Sequence, residues 1–308
     1  MAEEIAVKER RLNLRQRESL VGFLFCLPWL VHFTLLIAGA MIFSFVISLS
    51  QTDLLTGWKF VGIQNYRNLF KDFLFWKALR VTAYYTFLVV PLGIILALSI
   101  ALLLNSKKVA FLGFWRLIYY LPSVVAGVAV AILWSWVLNP RFGLLNAMLM
   151  SLGVKNPPRW LYSEQWAIPG FILMGLWGAG GAMLLYLAGL QSIPTQLYEA
   201  AEIDGAGSWA KFWRITLPML TPTIFFNLIM SIIGAFQVFT QIYVMTQGGP
   251  NNATLTIVFY LYRLAFINLQ FGYASALAWV LFFIILFFTM LVFRSSAAWV
   301  YYEGELRK

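Results

Sequence analysis

The chain has 308 residues, of which 61% are hydrophobic, 18% aromatic and only 11% charged. Soluble domains carry about 25% charged residues, so a water-soluble globular protein is excluded and an integral membrane protein is indicated. The formal net charge is +10. Its basic residues fall on both sides of the apolar runs, so anchoring to anionic headgroups accounts for them and no nucleic-acid partner is expected.

One cysteine, Cys26, excludes an internal disulfide, and one histidine, His32, leaves no cluster for a metal. Both lie in an apolar run and are expected as buried helix side chains. No G-x-x-x-x-G-K-[ST] phosphate loop occurs, so no catalytic residue for ATP hydrolysis is assigned and the chain is not read as an enzyme.

In chain order, residues 1–18 form a basic segment containing "KERRLNLRQR". The "AGA" at 38–40 mimics a signal-peptidase site, but the apolar run continues to Ser50. That exceeds a signal core of about 7–15 residues, so the run is read as a retained anchor. Crossing the hydrocarbon core takes about 20 apolar residues. Six spans are predicted: 19–49, 79–104, 111–138, 166–190, 217–246 and 273–293. Lipid offers the backbone no partners, so each should be helical. The fold expected is an all-α membrane protein with a six-helix transmembrane domain at 19–293 and a tail at 294–308.

An even number of spans puts both termini on one side. Segments 1–18, 105–116, 191–216 and 294–308 hold thirteen Lys and Arg; 51–78, 139–165 and 247–272 hold eight, with Arg80 at a boundary. The basic cluster before the first span usually dominates orientation, which predicts both termini in the cytoplasm. The outer loops 57–79 and 139–166 carry Trp58, Tyr66, Trp76, Trp160, Tyr162 and Trp166. These suit an interfacial belt or, alternatively, a surface against which a soluble partner presses.

One stretch departs from the apolar pattern. "YEAAEIDGAGSWAKFWRITLP" (198–218) holds Glu199, Glu202, Asp204, Lys211 and Arg214 between the uncharged runs 165–198 and 215–262. Pro194 suits a first helical turn. "TQLYEAAEID" then favours helix, and Gly205 and Gly207 supply a stop. Ser208 can cap a second short helix before Pro218 opens the next span. Residues 191–216 are therefore predicted as a helix–bend–helix elbow. Ala200 and Ala201 let another surface approach closely, and Glu199 and Glu202 share a face that could pair with basic groups there.

The spacing Glu199-Ala200-Ala201-x₃-Gly205-x₉-Ile215-x-Leu217-Pro218 resembles the signature loop of permease subunits of binding-protein-dependent ABC importers. Asp204, Ala206 and Thr216 within it look like the carbohydrate branch. "FVGIQNYRNLF" (60–70), "YLPSVVAGVAVAILWSWVLNPRFGLLN" (120–146) and "GGPNNATLTIVFYLYRLAF" (248–266) are similar to the maltose-, lactose- or glycerol-3-phosphate-type first permease.

The resemblance implies a type I ABC importer permease fold with a cytoplasmic coupling elbow, in a bacterial or archaeal plasma membrane. It also implies a second permease, two ATPase subunits holding ATP and Mg, and an extracytoplasmic solute-binding protein. No cofactor is expected on this chain. Glu199, Ala200, Ala201, Glu202, Asp204, Gly205, Ile215, Leu217 and Pro218 are then the ATPase-coupling residues.

Within the spans, ionisable residues are confined to the boundaries, at Arg80 and Arg116. Ion-coupled carriers usually keep such residues inside, so a neutral or hydroxyl-rich solute and an outside energy source are favoured. Asn227, Ser231, Gln237, Thr240 and Gln241 punctuate the fifth span. They read either as interhelical hydrogen bonding, worth about 1 kcal/mol each, or as a sugar-facing stripe. Trp177 is a candidate to cover a sugar's apolar face. By resemblance to the maltose-type permease, Ser231 matches a sugar-contact position, whereas Ala235 and Val238 replace asparagines, which puts maltose itself in doubt. The rival readings are a glycerol-3-phosphate or polyol cargo, a self-sufficient secondary carrier or channel, and a membrane scaffold.

Overall fold

The computed structural model describes residues 13–52, 57–106 and 109–301. Four helical stretches are long and apolar enough to cross a membrane: Leu14–Ser48, Phe73–Leu104, Ser208–Met245 and Phe271–Trp299. Two bent pairs, Leu112–Val124 with Gly127–Val137 and Ala167–Trp177 with Gly180–Ser192, bring the number to as many as six. Every span predicted from sequence has a helical counterpart, but the third and fourth are broken rather than straight.

We number the helices α1 (Leu14–His32), α2 (Gly39–Ser48), α3 (Gln64–Lys71), α4 (Phe73–Leu104), α5 (Leu112–Val124), α6 (Gly127–Val137), α7 (Leu144–Ser151), α8 (Ala167–Trp177), α9 (Gly180–Ser192), α10 (Thr195–Ile203), α11 (Ser208–Lys211), α12 (Leu217–Phe236), α13 (Thr240–Met245), α14 (Ile257–Tyr262) and α15 (Phe271–Trp299). The one departure from an all-helical fold among the described residues is a short antiparallel ribbon. It pairs β1 (Ser50–Thr52) with β2 (Trp58–Phe60) in the register Ser50↔Phe60.

The breaks have local causes. Pro122 sits inside α5, where it removes an amide donor and crowds the preceding turn. Val125 and Ala126 then turn extended, and α6 leaves at 100° to α5. The 44° bend between α8 and α9 falls on Gly178 and Ala179. Gly180 just beyond is indispensable for a second reason: a Cβ there would lie 1.9 Å from the Tyr119 carbonyl oxygen on α5. Gly180→Ala is expected to cost about 1–3 kcal/mol by forcing two backbones apart. Gly93→Ala, with open space around its Cβ, serves as the control; matching thermal midpoints for the two purified variants would refute the close approach.

Two apolar clusters hold the bundle. One, at the end away from the elbow, gathers Leu69, Phe75, Phe171, Phe236, Leu255 and Leu277. The other joins Ala97, Ala101 and Leu104 of α4 to Met183, Tyr186, Leu187 and Leu190 of α9 and Leu220 of α12. Small residues on α4 let α9 approach closely, the usual route to helix association in lipid.

By contrast α1 buries no residue. Cys26 and His32, expected to be buried, are both exposed, because no other part of the described chain packs over α1. Trp160 departs the other way. It is buried and its indole N–H donates to Asn146 Oδ1 at 2.7 Å, so it is core rather than interfacial belt. Trp58, Trp76, Tyr162 and Trp166 remain exposed as a belt requires, and Tyr66 is half-buried with its hydroxyl 2.7 Å from Ser48 Oγ.

Candidate functional site: elbow and cavity

The elbow forms as predicted in outline, with two differences of detail. Pro194 precedes α10 as its cap residue rather than sitting in its first turn, and Gly207, not Ser208, caps α11. Helix α10 ends in a Schellman arrangement. The Ala206 amide donates to the Ala201 carbonyl at 2.8 Å and the Gly205 amide to the Glu202 carbonyl at 3.0 Å. Gly205 adopts φ +75°, the left-handed conformation this motif needs. Beyond the corner, α11 passes through one wide turn, Phe212–Thr216, straight into α12. The second arm of the elbow is thus the first turns of a membrane-spanning helix.

The charged residues divide. Glu202 does not wait for an outside partner: its Oε1 lies 2.7 Å from Lys211 Nζ, clamping α10 to α11. Glu199 is exposed and carries no hydrogen bond or ion pair among the described residues, while Asp204 caps the exposed corner. Ala200 is exposed and Ala201 half-buried. Behind this face, the Tyr198 hydroxyl lies 2.9 Å from Thr216 Oγ1, and Tyr198, Ile215 and Met219 pack on the second apolar cluster. Leu217 and Pro218 form the first turn of α12. A push on α10 therefore meets packed side chains continuous with α4, α9 and α12.

Toward the middle of the bundle lies a cavity of about 400 Å³. It opens where two helices are interrupted: at Gly178 and Ala179 between α8 and α9, and at Gln237–Phe239 between α12 and α13. Irregular backbone at membrane depth is tolerated where it lines such a cavity. Ser231, Gln237, Thr240 and Gln241 all line it, and their side chains carry no partner among the described residues. Tyr85 and Phe239 supply aromatic faces, Val89 and Ile94 an apolar wall, and no charged residue takes part. Ala235 and Val238 also line it.

Two of the pathway candidates are elsewhere. Asn227 is buried and donates to the Thr223 carbonyl of its own helix at 2.9 Å. Trp177 lies outside the lining and packs edge-to-face on Trp134 at 6.0 Å. Sequence reading missed Tyr85 and Phe239; the glycines at 175, 178 and 234, which open the wall, were the available signal.

At the far end, Asp72 gathers three elements. Its Oδ1 accepts from the Leu74 amide at 2.8 Å, capping α4, and its Oδ2 accepts from the Tyr260 and Tyr273 hydroxyls. Burial, together with the neighbouring carboxylate, pushes the Tyr260 hydroxyl well above the ordinary tyrosine range, so it stays a donor at neutral pH. Lys77 Nζ donates to the Asn251 carbonyl at 2.5 Å, and Asn251 donates to Glu164 at 3.1 Å.

The described chain is a bundle of apolar helices with an exposed elbow at one end and a charge-free cavity where two helices are interrupted. The chain belongs to the family of binding-protein-dependent transport system inner membrane components, whose pattern matches residues 89–300. It is 39% identical over 297 residues to the probable ABC transporter permease protein YesP of Bacillus subtilis (strain 168), covering 94% of each chain. It is 35% identical to the lactose transport system permease protein LacF of Rhizobium radiobacter, covering 93% of this chain and 97% of the other. A bacterial alginate ABC transporter, solved with an alginate pentasaccharide-bound periplasmic protein, contains a chain that superposes with a TM-score of 0.79. That chain is 26% identical, and the match covers 91% of this chain and 95% of the other.

Proposed function

We propose that this permease forms, with a second permease, the pathway by which a neutral sugar or oligosaccharide enters the cell. The cargo is delivered by an extracytoplasmic solute-binding protein, and the energy comes from ATP hydrolysed, with Mg, on two partner ATPase subunits. The elbow lies on the cytoplasmic side, as do both termini, and Glu199, Ala200, Ala201, Gly205 and the packed Ile215–Pro218 turn carry the ATPase stroke to the cavity.

The cavity carries this reading. Its unpaired amides and hydroxyls sit beside aromatic faces, the combination that pairs a sugar's hydroxyls and covers its apolar face. Its wall holds no cation, which disfavours glycerol-3-phosphate, and no ionisable relay, which disfavours an ion-coupled carrier. The lactose and alginate named for the relatives support a carbohydrate class.

The test is uptake into proteoliposomes holding the complete transporter, using the labelled ligand that calorimetry identifies for its binding protein. Uptake should require ATP and every subunit. Gln237→Leu with Gln241→Leu should lower it by about tenfold or more, since each lost hydrogen bond is worth about 1 kcal/mol. Uptake by this chain alone would overturn the reading, and unchanged uptake in the double variant would remove the cavity from the pathway.

A further inference from the structure

A groove of about 810 Å³ lies at the end away from the elbow, between the β1–β2 ribbon, α3 and the turn that leads into α15. Its size falls among sites for small ligands, about 300–1,000 Å³. Six amide side chains line it: Gln51, Gln64, Asn65, Asn68, Asn268 and Gln270. Trp58 stands beside them, and Lys59 is the one charged residue in the wall among the described residues. None of these residues lines the mid-bundle cavity.

The wall is fixed before any ligand arrives. Asn65 is only 8% exposed, and its Nδ2 donates to the carbonyls of Ser48 and Ser50 at 2.8 and 2.9 Å. Both amide hydrogens are thus spent inside the fold, and Oδ1 is the polar atom this side chain has left to offer. Gln64 Nε2 donates to Asn68 Oδ1 at 3.1 Å, which leaves Gln64 an acceptor and Asn68 its donors. The Ser50 carbonyl also sets the facing wall: a Cβ on Gly272 would lie 1.9 Å from that oxygen, so the turn before α15 meets β1 at backbone distance. Trp58 packs on Phe43 with ring centroids 5.7 Å apart, yet remains 51% exposed. Gln51, Asn268 and Gln270 are exposed, and their side chains carry no hydrogen bond among the described residues.

We propose that this groove is a second saccharide site, in which Gln64, Asn65 and Asn68 pair the hydroxyls of a neutral sugar and Trp58 covers the apolar face of one ring. An amide donates and accepts at once, and so does a hydroxyl, whereas a phosphate or carboxylate would call for cations. Side chains already held in place lose little freedom when the ligand binds, which favours affinity. Amides outnumber apolar and aromatic side chains in the wall, the reverse of the core of a protein interface. The choice of a saccharide rests on the carbohydrate reading proposed above, in which this end of the bundle faces the side from which cargo arrives.

The experiment uses the complete transporter in nanodiscs, without its binding protein, titrated with lactose, maltose, maltotriose and arabinotriose. Emission of Trp58, taken as the difference between the wild-type chain and Trp58→Phe, reports a sugar in the groove. At least one of the four should give a saturable change. Gln64→Ala/Asn68→Ala should weaken that binding about tenfold or more, since each hydrogen bond is worth about fivefold. Both positions are exposed on α3, and alanine keeps the helix, so the fold is undisturbed. Gln237→Leu with Gln241→Leu, which alters only the mid-bundle cavity, should leave the Trp58 titration within about twofold. A Trp58 that answers to none of the sugars, or equally in the wild type and in Gln64→Ala/Asn68→Ala, would overturn the proposal. So would a Trp58 that answers only to the solute-binding protein, the result expected if a protein loop fills the groove instead. None of these outcomes touches the uptake measurement, which decides the carbohydrate reading separately.

Discussion

Gly205→Val should abolish coupled transport while Gly205→Asn leaves it within about twofold of wild type, because Asn alone of the two adopts the left-handed conformation readily. A Cβ at this position meets nothing within 4 Å, and φ is +75°. The effect is therefore conformational rather than steric within the chain. A left-handed L-residue costs about 1–2 kcal/mol, and a β-branched one sits at the upper end. The helix end can avoid that cost by giving up the two Schellman hydrogen bonds from Gly205 and Ala206, which turns α10 away from α11.

Switching a two-state transporter from 1:99 to 99:1 takes about 5.5 kcal/mol of differential binding, so an elbow that yields cannot pass on the stroke. Binding-protein-stimulated ATP turnover and uptake should both fall by at least about tenfold in the Val variant, the equivalent of about 1.4 kcal/mol. Membrane insertion should hold, and the thermal midpoint should fall by only the few degrees that about 1–2 kcal/mol implies. Glu199→Lys should reproduce the phenotype without touching the fold, since that carboxylate has no partner in the described chain. Wild-type coupling in Gly205→Val would show that the corner's conformation does not matter.

The features legible in sequence were those written locally. Charge-free runs marked the spans, and the elbow's corner followed from Gly205 after a run of helix formers. The 100° break between α5 and α6 was not legible as a bend. Pro122 is visible, but prolines also sit inside α1, α4 and α12 without such a break, and only tertiary packing decides which one turns the chain. Spacing on α10 offers Glu202 to a surface outside the chain, because i,i+3 spacing speaks only of its own helix. Its ion pair with Lys211 crosses a bend whose closure sequence does not specify. Three of five pathway candidates line the cavity: Gln237 and Gln241 at the helix break, and Ser231 on the regular helix before it. Asn227, one turn before Ser231 on the same helix, instead donates to its own backbone, and helical spacing alone does not tell the two apart.

The same break explains how elbow and cavity are joined. Ser208–Met245 is one apolar stretch that begins at the elbow, carries Ser231 on one cavity wall, and ends past Gln237 and Gln241. Tyr198 and Ile215 pack where that stretch begins, so a displacement of α10 reaches the first turns of α12 through side chains in contact. On the proposed reading the cargo site sits at an interruption, and packed bundles switch between discrete arrangements more readily than they deform continuously.

At the opposite end of the bundle, Asp72→Ala should be among the most destabilising single substitutions in the chain. The carboxylate caps α4 and accepts from Tyr260 and Tyr273, drawing α14 and α15 onto the start of α4. Losing the cap costs about 1 kcal/mol. Each hydroxyl bond to a charged acceptor is worth about 1.5–3 kcal/mol, so a total on the order of 4 kcal/mol is expected. Tyr260→Phe and Tyr273→Phe each remove one of those bonds and leave the cap, so each should cost less than half as much. The thermal midpoint of the purified complex reads the series. If the alanine variant melts no lower than either phenylalanine variant, the three groups do not act through the shared carboxylate, and the outer end of α4 is held by the apolar cluster around Leu69 and Phe75 alone.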